Sequence, residues 1–298
     1  MTLHDYFLTC PTGLMFRFDT RAACTLTPLS LPCLTARCDP RSMLHKSVRI
    51  LRAFATNKAL KGLPFSAIHV SKTGMQTIGR FLPREAEQTV IENPVEVEDV
   101  GPCTFTGDRK LTYCGRLTEE NGADLVAAAA REANIPSLFI GDGPLREKIL
   151  QIDPEAEITG WLDKPAVRQR IRDSALAVAA PSRWPETGPL VIAEAMAQGV
   201  PVIASSMSGA AARIEHGQTG FVLPPDGSAI ANAASSLRDE TVAAAMGKRA
   251  YEAYWSAPPS LRSHASQLAE LYARRLVLAK KGICQAWPLL PVFAVCNR

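Results

Sequence analysis

From about residue 108 onward, short apolar runs closed by glycine, proline or serine recur along the chain. They are KLTYCG (110–115), PSLFIG (136–141), EITG (157–160), ALAVAAP (175–181) and VPVIAS (200–205). Their length and punctuation read as buried strands. Amphipathic segments of helical length lie between them, at 119–133, 144–151, 163–173 and 189–198. Strands that are apolar throughout need cover on both faces, and the intervening helices supply it, so the alternation predicts a parallel sheet in an α/β fold. Ligands of such sheets bind beyond the carboxyl ends of the strands. The loops that follow each run are therefore where function is expected.

The region before residue 95 follows a different pattern. RSMLHKSVRILRAFATN (41–57) places Leu44, Val48, Leu51 and Ala55 on one face of a helix and His45, Arg49 and Arg52 on another. FSAIHVS (65–71) and EQTVIEN (87–93) read as strands, and Asn93-Pro94 with the segment after it reads as a linker. The 298 residues are enough for two ordinary domains. They divide at this linker into one unit at 1–94 and another at 95–275. A last helix is expected over about 259–280, and 276–298 is assigned to an irregular tail.

Several function classes drop out. The net charge of +4 is too mild to argue for nucleic acid. No apolar run reaches the roughly 18 residues of a membrane span, and the N-terminus lacks the basic start of a signal peptide. Eight cysteines without a CxxC pair point to a reducing, cytoplasmic setting. Cys10, Cys24, Cys33 and Cys38 are spaced too loosely for a strong zinc motif and read as thiols before metal ligands. Charge is nonetheless uneven: residues 1–62 hold nine Lys/Arg against three Asp. That is either a solvated face or a surface that meets anionic lipid or a phosphate-bearing acceptor, peripheral on the inner face of a membrane.

The stretch PSRWPETGPLVIAEAMAQG (181–199) carries the chemistry. A helix start near Gly188, Pro189, Leu190 and Val191 offers free backbone N–H groups and a positive dipole end. Glu194 lies about one turn inside, and Glu186 lies in the loop before it. An anion flanked by two hydroxyl-binding carboxylates describes a nucleoside-diphosphate sugar. After the strand 110–115, Gly115 and Arg116 offer a second cationic loop, with a guanidinium suited to a diphosphate. Gly141-Asp142-Gly143-Pro144 forms a third turn into a helix.

In this order the motifs resemble the retaining, GT-B-fold glycosyl transferase group 1 family. The matching pieces are Gly115-Arg116-Leu117, Gly141-Asp142-Gly143-Pro144, Gly160-Trp161-Leu162, Pro181-Ser182-Arg183-Trp184, Glu186 to Glu194, and Gly199 to Ala204. Asp226 follows as in the family's closing segment, and the likeness covers roughly 92–275. It implies an α/β, GT-B-like fold, with a partial Rossmann-like domain at 1–94 and a complete, nucleotide-sugar-binding one at 95–275. It implies that Glu194 binds ribose, Glu186 the donor sugar, and Arg116 with the helix start at 188–191 the diphosphate. Gly115, Asn121, Gly141 and Gly143 complete the donor site by the same likeness. Leu3-His4-Asp5-Tyr6 is similar to the family's acceptor-side segment, which makes His4 and Glu186 the catalytic candidates. The N-terminal cysteines are similar to the subset that builds bacterial surface polysaccharide.

Three features depart from the family pattern. Only Met1-Thr2-Leu3 precede His4, Asn121 stands where a phosphate-binding lysine is usual, and Pro189 removes one backbone donor. The resemblance implies a hexosyltransferase that acts on a saccharide or lipid-linked acceptor and needs neither metal nor other cofactor. The alternatives are a remnant that only binds the nucleotide sugar and, less favoured, a nucleotide-sugar epimerase.

Overall fold

A computed structural model describes residues 1–280. The N-terminal part contains β1 (Thr2–Leu3), a hairpin of β2 (Phe16–Arg17) and β3 (Ala22–Ala23), α1 (Leu31–Thr35), α2 (Met43–Leu60), β4 (Phe65–His69), α3 (Lys72–Ile78) and β5 (Ala86–Val90). β1, β4 and β5 form a parallel three-stranded sheet with β4 in the middle. The residues before 95 thus hold a small parallel sheet of their own. FSAIHVS is its central strand, paired on both edges.

The second part alternates as its punctuation predicts: β6 (Lys110–Cys114), α4 (Ala123–Ala133), β7 (Ser137–Ile140), α5 (Arg146–Ile152), β8 (Glu157–Gly160), α6 (Lys164–Ser174), β9 (Ala175–Ala180), α7 (Leu190–Ala197) and β10 (Val202–Ser205). It continues with β11 (Gly220–Leu223), α8 (Gly227–Ser236), α9 (Glu240–Ser256) and α10 (Leu261–Lys280). The six strands are all parallel, in the order β8-β7-β6-β9-β10-β11. Every residue of β7, β9 and β10 is buried, because helices cover both faces. The chain starts in the middle at β6, builds outward to β8, and returns to the other side of β6 at β9. That reversal opens a crevice at the carboxyl ends of β6 and β9.

α10 crosses back to the N-terminal sheet. Leu271 is buried with Ile68 and Ile91, and Arg275 bonds Ser66 at 2.7 Å and Glu87 at 2.6 Å. Sequence order groups 261–275 with the second domain, but these contacts are with the first. The helix runs through Lys280, past the start assigned to the tail at 276, and 281–298 lies outside the described residues.

α2 forms where its periodicity places it, but it faces the other way from an ordinary amphipathic helix. Lys46 and Ala53 are buried against the body, whereas Leu44, Val48 and Leu51 are exposed. Two interactions on the polar side set this orientation. The Lys46 Nζ donates to the carbonyls of Cys33, at 2.5 Å, and Ala36. Arg52 lies over the ring of Phe7, 4.3 Å from its centroid.

Candidate functional site

The crevice beside β9 is walled by the loop 181–189, which both domains hold. Trp184 inserts into the N-terminal core beside Tyr6, and the Tyr6 hydroxyl donates to the Pro185 carbonyl. Thr187 Oγ1 donates to the His4 carbonyl at 2.9 Å, and the Gly209 amide donates to the Glu186 carbonyl at 2.8 Å. His4 follows β1 directly and is exposed, and its backbone carbonyl is the atom that meets this loop. The backbone segments that carry the two catalytic candidates, His4 and Glu186, thus meet through the His4–Thr187 contact.

Glu186 is half-buried, and its Oε2 accepts from the Ser182 hydroxyl. Burial pushes its carboxyl above the usual range; the Ser182 hydrogen bond opposes this and the nearby Glu120 adds to it. Past the loop, α7 begins at Leu190 after Pro189, with no side-chain cap and no acid in its first turn. Its first backbone N–H groups stay open to an anion. Gly188, Leu190 and Val191 sit at this start. Glu194 lies one turn further along, half-buried; burial raises its carboxyl too, opposed by Arg168 and Lys164 on the facing helix α6. The arrangement is a run of open amides between two carboxylates.

The glycines of the neighbouring loops have a steric cause. The loop after β6 packs directly on the loop after β7: Gly115 N donates to the Ile140 carbonyl at 2.9 Å and Leu117 N to the Asp142 carbonyl at 3.0 Å. A methyl on Gly141 would stand 2.0 Å from the Gly115 oxygen, and one on Gly143 would stand 2.5 Å from the Leu117 oxygen. Gly141 also adopts φ +144°. Gly141→Ala is expected to cost about 1–3 kcal/mol, the scale of a forced backbone conformation. Urea denaturation checks it, and a neutral result would mean the two loops separate freely.

Arg116 is exposed and takes part in no ion pair among the described residues. It lines a cavity of about 410 Å³ together with Thr118, Glu119, Lys148, Phe18 and Arg21. Asn121 is engaged at both ends of its amide. Its Nδ2 donates to the Arg116 carbonyl at 3.3 Å, and its Oδ1 accepts from the Trp184 indole at 3.1 Å. The residue at the lysine position thus ties two loops together.

Sequence reasoning missed the ion cluster beneath these loops. Asp124, in the first turn of α4, accepts from Arg183 Nη1 at 2.6 Å and from Lys148 Nζ at 2.8 Å. Arg183 was visible as part of PSRWPE, but nothing in the sequence pairs it with Asp124. Cys10, Cys24, Cys33 and Cys38 carry free thiols, and burial pushes those of Cys24, Cys33 and Cys38 upward. Among the described residues no group of His, Cys, Asp or Glu is arranged to hold a metal.

Residues 108–240 match the family model described as glycosyl transferases group 1. The chain is 29% identical over 230 residues to a glycogen synthase of Mycobacterium tuberculosis, covering 71% of this chain and 53% of that protein. It is 33% identical over 130 residues to the alpha-D-kanosaminyltransferase of Streptomyces kanamyceticus, covering 40% of this chain and 33% of that one. The matched part thus spans about half the length of the first relative. Sucrose-phosphate synthase from Thermosynechococcus elongatus superposes with a TM-score of 0.64 at 25% identity, over 77% of this chain and 62% of that one. Anabaena HepE, solved in complex with UDP-glucose, superposes with a TM-score of 0.61 at 20% identity, over 78% and 70%.

Proposed function

We propose, from the premise that residues 108–240 are a group 1 glycosyltransferase domain on a GT-B fold, that this chain moves a hexose from a nucleoside-diphosphate sugar to a saccharide or lipid-linked acceptor. The observation that carries the reading is the uncapped start of α7 between Glu186 and Glu194, at the carboxyl ends of β6 and β9. Open amides and a helix dipole suit the diphosphate. On this reading Glu194 binds the ribose and Glu186 the hexose. The UDP-glucose bound to HepE makes a uridine nucleotide the first donor to try.

In the transfer, the bond from the sugar C1 to the phosphate oxygen breaks and a bond from C1 to an acceptor hydroxyl oxygen forms. The acceptor proton passes to the departing diphosphate. Loss of the leaving group builds negative charge, which Arg116 and the α7 amides stabilise, and no metal enters the step. His4 and Glu186 position the reacting groups rather than attack, which fits retention of the anomeric configuration. Surface polysaccharide assembly on the cytoplasmic side of a membrane is the setting this chemistry suits.

Calorimetry across a panel of nucleoside-diphosphate hexoses, followed by a transfer assay with the one that binds, tests the reading. Arg116→Ala is expected to weaken the preferred donor by about 1–3 kcal/mol, with the loss shrinking at high salt. Failure of every nucleotide sugar to bind would overturn the site. Binding without transfer to any acceptor would support the binding-only alternative instead.

A further inference from the structure

The outer face of α2 exposes a group of large apolar side chains. Leu44 is 76% exposed, Val48 62%, Leu51 69% and Phe54 48%. These side chains are spaced at three, four and seven residues, so they form one stripe along the helix. Singly exposed leucines are ordinary, but a contiguous row of large apolar side chains marks an interaction surface.

The charge around the stripe identifies the partner. Between Asp39 and Glu85 the chain contains no acidic residue and nine Lys/Arg. Lys46, Arg49 and Arg52 are taken up on the inner side, by backbone carbonyls, Asp39 and the Phe7 ring. Arg41 before the helix, Lys58 in its last turn and Lys61 after it are exposed and outside any ion pair among the described residues. An apolar stripe framed by cations and free of acids is the composition of a helix that lies in a membrane interface. Each cation near an anionic leaflet adds about 1 kcal/mol. A second copy of the chain suits the face poorly, because it would set one acid-free, cation-rich segment against another.

We propose that the outer face of α2 docks on anionic lipid, with Leu44, Val48, Leu51 and Phe54 in the interface and Arg41, Lys58 and Lys61 at the headgroups. The proposal does not depend on the donor-site reading, although a membrane-docked N-terminal part would suit a lipid-linked acceptor.

Co-sedimentation of the whole chain with vesicles tests it, comparing phosphatidylcholine alone with phosphatidylcholine mixed with phosphatidylglycerol. Binding to the anionic vesicles alone, weakened by salt, is expected. Leu44→Ser with Leu51→Ser should reduce it more than about tenfold, and Lys58→Glu with Lys61→Glu should reduce it comparably. All four side chains are exposed, so thermal melting and nucleotide-sugar binding should stay unchanged in both variants, which separates this test from that of the donor site. Absence of binding to anionic vesicles at low salt, or binding that both variants leave intact, overturns the proposal. So does a concentration-dependent dimer, abolished by Leu51→Ser, that forms without vesicle binding: it would assign the face to a second copy.

Discussion

Asp124→Ala is expected to destabilise the second domain by about 3–5 kcal/mol, the cost of leaving a buried ionic partner unpaired. The Asp124 side chain is 9% exposed and that of Arg183 14%. Arg183 directs its guanidinium to Asp124 and to the Glu119 carbonyl, so removing the carboxylate strands a cation under the loops that line the crevice. Lys148 is more exposed and contributes less. Burial alone would raise the Asp124 carboxyl; the hydrogen bonds and charges of Arg183 and Lys148 outweigh it and hold it below its ordinary value. A carboxyl lowered by folding contributes stability that is complete above the ordinary carboxylate range, near pH 4, and is lost as pH falls through the lowered value. The wild type should therefore lose stability more steeply than the variant as pH drops below about 4, and the two curves should converge. Urea denaturation at several pH values measures both effects. A loss below about 1 kcal/mol at neutral pH would show that the cluster behaves as a surface pair and does not support the loops.

The same cluster shows why some of the molecule was legible in the sequence and some was not. The strands at 110–114, 137–140 and 175–180 are readable because each is a short, mainly apolar run stopped by glycine or proline. β11 was not read as a strand. GFVL is short, half-buried and at the sheet edge, and it follows a turn whose residues give no periodic cue. Glu186 and Glu194 lie within one βα unit, so the helix start between them is visible in the sequence as well as in the structure. The Asp124–Arg183 pair joins residues 59 apart, and only the return of the chain across β6 brings them together. The facing of α2 was illegible for a related reason. Its pattern reports which side is apolar, but the Lys46 and Phe7 contacts decide which side is inward. Asn121 is legible as the residue at the usual lysine position, but its bond from the Trp184 indole joins residues 63 apart and has no local signature.

Glu186→Gln and Glu194→Gln are expected to separate the two ends of the donor while leaving the fold intact. Both carboxyls are raised by burial, so the folded state holds its protons more tightly than the unfolded chain. For each group stability falls as pH rises from the ordinary carboxylate range to the raised value, and stays lower beyond it. Glutamine removes that cost, and it can still accept from the Ser182 hydroxyl at position 186. Both variants should thus be at least as stable as the wild type at pH 8. Binding should move the opposite way, because sugar hydroxyls donate more strongly to a carboxylate than to an amide. A loss of about 1–3 kcal/mol per residue corresponds to roughly 5–150-fold in affinity. If Glu194 holds the ribose, Glu194→Gln weakens both the free nucleoside diphosphate and the nucleotide sugar. If Glu186 holds the hexose, Glu186→Gln weakens the nucleotide sugar and leaves the free nucleoside diphosphate unchanged. Wild-type affinity should also rise with pH as the two carboxyls ionise, and each variant should flatten part of that rise. Calorimetry with both ligands decides the matter: equal losses on the two ligands for Glu186→Gln would take that residue away from the hexose, and unchanged affinity in both variants would remove the donor from this crevice.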